Sequence, residues 1–260
     1  MDFFANTDIG RKRKVNQDNY CVQKLGERAV LCAVFDGMGG HAGGETASSI
    51  ACDKFRTVVT ETLGGKLNAE TGTLDATKTQ IINVLEKAAS VANTAIYEAS
   101  HESDELSGMG TTLVAILING DIGYAINIGD SRIYSVCEGK IEQLTRDHSY
   151  VQYLIDLGEI TEEEAKTNAN KSIITRAVGT ESEVEADSYT VDCEGVRILL
   201  CSDGLSNHID NAEIGEIISK CENAESAINT LIDKANENGG SDNITAILII
   251  TDGNAAFTED

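Results

Sequence analysis

Five aspartates stand beside apolar runs of this chain, most of them with glycine at hand. Asp36 follows the run Ala29–Phe35 and is followed by Gly37, Gly39, Gly40 and Gly43. Asp130 sits in Gly129-Asp130-Ser131-Arg132, directly after Ile126-Asn127-Ile128. Asp203 ends Leu199-Leu200-Cys201-Ser202 and precedes Gly204; Asp242, in Gly239-Gly240-Ser241-Asp242-Asn243, leads into the last apolar run. Asp18, in Asn16-Gln17-Asp18, leads into the first of the paired strands read below. A single Asp-Gly pair at a strand end is most simply a turn. At Asp36 a turn, a phosphate cradle and a metal loop all remain open, because glycine lets a ligand approach the backbone. Several carboxylates gathered at one rim of a sheet are another matter: they repel, desolvate poorly and call for cations. Ligands that are oxygen alone suit Mg²⁺ or Mn²⁺, and no Cys/His spacing for zinc occurs.

The elements that would gather them follow from periodicity. Residues 19–25 and 28–35 read as strands paired across Gly26, and 44–63 as a helix with Ile50, Ala51, Lys54 and Val58 at helical spacing, closed by Gly64-Gly65. From 77 to 100, Ile82, Leu85, Ala89, Ala92, Ile96 and Ala99 alternate steps of three and four, a long helix with one buried stripe. Strands then return at 111–118 and 122–128 around the hairpin signal Asn119-Gly120-Asp121, and at 132–136 and 141–144. Residues 148–180 break the rhythm: short helices at 148–157 and 161–166 and a loop at 168–170 make an insertion, with His148 capping or packing at its start. Strands resume at 185–191 and 196–201. Asp210 and Glu213 form a capping box for one helix, Asn223 caps the next, and 243–250 is the final strand. Long helices grouped between runs of strands with hairpin turns indicate an α+β fold with mainly antiparallel sheets covered by helices.

Bulk properties narrow the class. With 20 Lys+Arg against 43 Asp+Glu the net charge is −23, a field that disfavours nucleic acid and anionic membranes. The apolar runs are too short to span a bilayer. The start, Met1 to Asp8, is acidic and lacks the apolar length of a signal peptide. Seven cysteines without a C-x-x-C pair read as reduced thiols, and the expected location is the cytoplasm. None has an Arg six residues later, which excludes the C-x₅-R loop of cysteine-dependent phosphatases. The chain contains no proline, for which we have no functional account.

Taken together the motifs resemble the metal-dependent type 2C (PPM) protein phosphatases in their bacterial form. In family order these are Asp8-Ile9-Gly10 with Arg13 and Asn16-Gln17-Asp18-Asn19; Phe35-Asp36-Gly37-Met38-Gly39-Gly40-His41; Gly108-Met109-Gly110-Thr111-Thr112; Gly129-Asp130-Ser131-Arg132; Leu144 to Ser149; Ile174 to Gly179; Ser202-Asp203-Gly204-Leu205; and Ser241 to Thr245. Any one is weak; eight in order are specific. The resemblance implies a β-sandwich, two central antiparallel β-sheets flanked by helices on both sides, with a short helical flap over about 146–180. It implies one catalytic domain over 1–251, with 252–260 a polar tail.

It also implies two Mn²⁺ or Mg²⁺ ions, with Asp36 bridging both, the Gly37 carbonyl on one, and Asp203 and Asp242 on the other. Asp18 would anchor metal-bound waters with Gln17 beside it, Asp130 with Asp203 would hold a third, weaker metal, and Arg13 would grip substrate phosphate. A metal-activated hydroxide would then hydrolyse phosphoserine or phosphothreonine in proteins, reversing a bacterial Ser/Thr protein kinase, and the family default is a monomer. Two departures stand out. Met38 replaces the histidine that follows Asp-Gly in eukaryotic relatives, so the proton donor to the leaving group is unassigned; His41, three residues on, is as readily a turn or helix-start residue. Thr167-Asn168-Ala169-Asn170 replaces a His-Pro pair in the flap. His101 and His208 read as surface residues. The alternatives are a non-catalytic binding module on the same fold, which would bind little Mn²⁺, and a hydrolase of small phosphate esters.

Overall fold

A computed structural model describes residues 1–40 and 43–251; His41 and the 252–260 tail lie outside the described residues. The strands are β1 (Asp2–Asp8), β2 (Asp18–Gly26), β3 (Ala29–Met38), β4 (Gly110–Thr111), β5 (Leu113–Asn119), β6 (Ile122–Ile128), β7 (Arg132–Cys137), β8 (Lys140–Gln143), β9 (Asp187–Asp192), β10 (Arg197–Cys201) and β11 (Ile244–Ile250). The helices are α1 (Gly43–Leu63), α2 (Lys78–Glu102), α3 (Tyr150–Asp156), α4 (Glu162–Lys166), α5 (Asp203–Ser206), α6 (Asn211–Lys220) and α7 (Ala224–Glu237). One sheet runs β1-β11-β10-β7-β8 and the other β2-β3-β5-β6-β9, with β4 paired to the end of β3. Every ladder is antiparallel.

Period-two alternation sorts the strand residues into three apolar layers. Val30, Cys32 and Val34 of β3, Val114, Ile116 and Ile118 of β5, Ile198 and Leu200 of β10, and Ile247 and Ile249 of β11 fill one cluster between the two sheets. The intervening Leu31, Ala33 and Phe35 face the other way, onto Phe55 and Val59 of α1 and Leu85 and Ala92 of α2. On the far side, Leu199, Cys201, Ala246 and Leu248 pack on α6 and α7 through Ile214, Ile218, Ile228 and Leu231. The result is a sandwich with a helical layer on each outer face. Asp36 continues the register of Val30, Cys32 and Val34, and so lies at one end of the space between the sheets.

Several expectations shift. Asp36 does not end its strand: β3 runs on through Gly37 to Met38, because Gly37 pairs with Thr111 and Met38 with Gly110. The strand read at 111–118 is two, broken at Thr112. The buried stripe of α1 is Ala47, Ala51, Phe55, Val59 and Leu63; Ile50 and Val58 are only half-buried and Lys54 is exposed. Asp210 does cap α6, its side chain accepting from the Glu213 N–H, but Glu213 turns away to Lys234 at 2.9 Å, so the box is half-formed. β1 and α5 were not foreseen. β1 is an edge strand bounded by Asp2 and Asp8, and α5 is too short for a periodic signal.

The insertion closes on itself. The bridge between Ser149 and Ile174 makes its base, with the Thr175 N–H donating to the His148 carbonyl and the Tyr150 N–H to the Ile173 carbonyl. Ser149 caps α3, and Thr161 with Glu164 forms a complete capping box on α4. His148 packs rather than caps.

Candidate active site

Asp18 is the first residue of β2 and stands directly opposite Asp36 in the β2–β3 ladder. Asp36 is held by its backbone: its N–H donates to Thr112 Oγ1 (2.9 Å), and its carbonyl accepts from the Thr112 N–H (2.8 Å) and Thr111 Oγ1 (2.9 Å). The break between β4 and β5 at Thr112 therefore serves to seat Asp36. On the facing sheet, Ser202 Oγ (2.8 Å) and Thr245 Oγ1 (2.7 Å) both donate to Asp18 Oδ2. Asp18 thus bridges the two sheets at this end of the sandwich.

Glycines let the loops converge. A Cβ on Gly37 would lie 2.1 Å from the Gly44 carbonyl oxygen and 2.5 Å from that of Gln17, so the end of β3 presses against the start of α1. A Cβ on Gly204 would lie 1.9 Å from the Asn243 carbonyl oxygen, which brings α5, with Asp203 at its start, against the segment carrying Asp242. The Arg13 loop docks on that segment too. Asn243 donates to the Ile9 and Val15 carbonyls at 3.0 and 3.1 Å and accepts the Gln17 N–H at 2.9 Å. Arg13 Nη2 then reaches Asp242 Oδ2 at 2.7 Å.

The closeness of these groups has electrostatic consequences. Burial pushes the Asp36 carboxyl well above the ordinary range, and the charges of Asp18, Asp203, Asp130 and Asp242 push it further. Asp18 is pushed up to about 7 by burial, against the lowering effect of Thr245 and Ser202. Asp130 and Asp203 are raised, again first by burial; for Asp130 the next cause is Asp203, for Asp203 it is Asp242, while contact with Asp36 pulls Asp203 back. Arg13 is raised, first by its bond to Asp242. Buried Oδ1 atoms of Asp18 and Asp130 have no hydrogen-bond partner, a state that costs free energy unless something else meets them.

The site thus brings together Asp18, Asp36, Asp130, Asp203, Asp242 and Arg13, with Gly37 next to Asp36. Among the described residues no three acidic side chains are already closed around one point. The donor set still fits a hard divalent cation: all oxygen, net negative, partly orphaned and short of countercharge. Sequence reasoning gave no role to the supporting shell of Thr112, Ser202, Thr245 and Asn243, although Thr112, Ser202, Asn243 and Thr245 lie within the quoted motifs. His208, expected at the surface, is half-buried and bonded to the segments that carry Asp203 and Asp242. Met38, half-buried beside Gly110, has no proton to donate. All seven cysteines are free thiols, as expected.

Two antiparallel sheets packed face to face between helical layers, with an acidic cluster at one end, make the architecture of a metal-dependent protein phosphatase. The family model for protein phosphatase 2C matches residues 9–259, and the chain belongs to that family. It is 37% identical over 244 residues to the serine/threonine phosphatase stp of Listeria innocua, covering 94% of this chain and 93% of that one. The crystal structure of the serine/threonine phosphatase Stp1 from Staphylococcus aureus superposes with a TM-score of 0.87 at 32% identity, over 97% of this chain and 96% of that one. The catalytic domain of the serine/threonine protein phosphatase PstP in complex with two manganese ions superposes with a TM-score of 0.78 at 35% identity, over 95% and 96%. The chain is a metal-dependent protein-serine/threonine phosphatase. Among the described residues no helix is long and apolar enough to cross a membrane.

Proposed function

We propose that residues 1–251 form one catalytic domain with a flap at about 146–180 and a polar tail at 252–260. In it Asp36 and the Gly37 carbonyl, together with Asp203 and Asp242, hold the two metals. The observation that carries this reading is the convergence of five carboxylates with the Arg13 guanidinium beside them, two of their oxygens being buried and unpartnered. A divalent pair bound there supplies Lewis acidity, lowering the pKa of water and neutralising phosphate charge. Asp18, fixed by Ser202 and Thr245, is placed to accept a proton or hydrogen bond from water at the mouth of the sandwich. Asp130 and Asp203 share a third, weaker metal site, for which the orphaned Asp130 Oδ1 is the support. Arg13 presents a planar fork suited to two phosphate oxygens, and its present partner Asp242 holds it at the site until phosphate arrives.

The test is phosphate release from a phosphothreonine peptide with and without Mn²⁺, wild type against Asp36→Ala. Metal-independent release, or full activity in the variant, overturns the assignment. Calorimetry with Mn²⁺ separates it from a non-catalytic module, and a nucleotide substrate compared with the peptide separates it from a small-ester hydrolase.

The physiological partner in this reading is a Ser/Thr protein kinase and its targets in the cytoplasm, with the phosphatase acting as a monomer. The net charge of −23 repels phosphoproteins at long range, so a basic patch on the target aids docking. Turnover of a kinase-derived substrate then falls as salt is added; turnover indifferent to salt counts against this docking mode.

A further inference from the structure

His208 lies two residues beyond α5 and touches both of the loops that carry Asp203 and Asp242. Its Nδ1 lies 2.8 Å from the carbonyl oxygen of Gly204, the residue after Asp203. Its Nε2 lies 3.1 Å from the backbone nitrogen of Ser241, the residue before Asp242, and 3.0 Å from Ser241 Oγ. A carbonyl can only accept and a backbone N–H can only donate, so one neutral tautomer satisfies both, with the proton on Nδ1 and the lone pair on Nε2. The His208 carbonyl in turn accepts from Asn238 Nδ2 at 2.7 Å, tying in the turn at the end of α7. Asn207 next door donates to Asp203 Oδ2 at 2.9 Å.

We infer that His208 is a positioning residue for the metal centre, a cross-tie that sets the spacing of Asp203 and Asp242. The inference rests on the assignment of those two aspartates to the metals. The mutual repulsion of the two carboxylates acts to spread their loops, and Gly204 against Asn243 is a contact without side chains to hold it. Ser202 and Thr245 already join the two segments before Asp203 and after Asp242, and the imidazole adds the polar link after Asp203 and before Asp242, one rigid ring bonded at each end. Both of its ring nitrogens are taken up by Gly204 and Ser241, and it acts through those two residues.

The experiment is calorimetric titration of Mn²⁺ into the metal-free full chain, for wild type, His208→Ala, His208→Gln, His208→Asn and Asp242→Ala. Loss of an outer-shell partner weakens metal affinity by about 10- to 100-fold, and that is expected for His208→Ala. At saturating Mn²⁺ its kcat and KM stay within about twofold of wild type, because no reacting atom is touched. Gln keeps an acceptor for the Ser241 N–H and Asn keeps a donor for the Gly204 carbonyl, so each falls between wild type and Ala. Should the Ala variant fail to fold, the Gln and Asn variants decide, each with a melting curve in the absence of metal. Wild-type Mn²⁺ affinity in the folded His208 variants, alongside loss of binding in Asp242→Ala, overturns the inference. Retained binding in Asp242→Ala removes the site assignment on which it rests.

Discussion

Asp18 and Asp36 face each other as direct partners across the β2–β3 ladder, two carboxylates where a sheet would ordinarily place opposite charges or apolar groups. Like charges so placed are destabilising on their own, and burial of Asp18 adds to the cost. In the proposed assignment, cations bound at this end of the sandwich offset that cost.

The first prediction concerns pH. A carboxyl raised to about 7 binds its proton more tightly in the folded chain than in the unfolded one. Its contribution to stability is therefore fully present below the ordinary carboxylate pKa and is lost as pH rises through about 7. The melting temperature of the metal-free protein should fall between pH 5 and pH 8, and added Mn²⁺ should recover more at pH 8 than at pH 5. A melting temperature that climbs over that range without metal contradicts the buried-cluster picture.

Replacing one of the facing carboxylates should separate stability from function. Asp18→Asn removes a buried charge but keeps a group that can bond Ser202 and Thr245. The metal-free variant should melt a few degrees higher at pH 8, while Mn²⁺-dependent turnover drops by about tenfold or more. Scanning calorimetry and a phosphate-release assay on the same preparation check both halves.

Arg13 is nearly half exposed, its side chain 47% accessible, and Asp242 is 31% accessible. An ion pair this open contributes little to stability. Arg13→Ala should therefore leave the melting temperature almost unchanged. If the guanidinium grips phosphate, kcat/KM falls roughly 10- to 100-fold, the worth of a charge-assisted contact. Arg13→Lys should recover only part, since an ammonium lacks the fork. Steady-state kinetics on a phosphopeptide decides.

The glycine contacts admit no side chain. Gly204→Ala would drive a methyl into the Asn243 carbonyl, and Gly37→Ala into those of Gly44 and Gln17. Both surroundings are backbone and cannot rotate away, so each variant should lose about 1–3 kcal/mol in urea unfolding. Gly64→Ala, which meets nothing within 4 Å, serves as the control and should stay close to wild type.

The flap depends on His148. Its Nδ1 accepts the Gly129 N–H at 3.0 Å, leaving Nε2–H to meet Asp187 Oδ2 at 3.2 Å, and Arg176 holds the same carboxylate at 2.7 Å. Burial lowers the His148 pKa, with Asp187 opposing, which suits a neutral ring bonded at both ends. In His148→Ala the Gly129 N–H loses its partner, at a cost of about 1–3 kcal/mol. Limited proteolysis should then cut within 146–180 faster than in wild type, and an unchanged rate would count against this anchoring.

Much of this was legible from residues alone. The continuous apolar runs of β3, β5, β10 and β11 declare two-sided burial, and the stripe of α2 declares one buried face, because the local pattern reports which sides of an element meet a neighbour. The acidic positions were legible as a set, since carboxylates at strand ends beside glycines are costly without a purpose. Edge strand β1 and the four-residue α5 were not, because neither carries enough periodic residues to stand out.

What local pattern could not supply is register and reach. That Asp36 lies within its strand is decided by the pairing of Gly37 with Thr111, a partner more than seventy residues away. That Asp18, already opposite Asp36 in its own sheet, also meets Ser202 and Thr245 depends on the facing of two sheets whose strands come from both ends of the chain. His208 has no motif around its role, because its bonds go to backbone atoms that any sequence would offer. Residue types and spacing declared a metal chemistry; only the packing of one sheet on the other, at separations no local signal spans, decided which oxygens meet and what holds them apart.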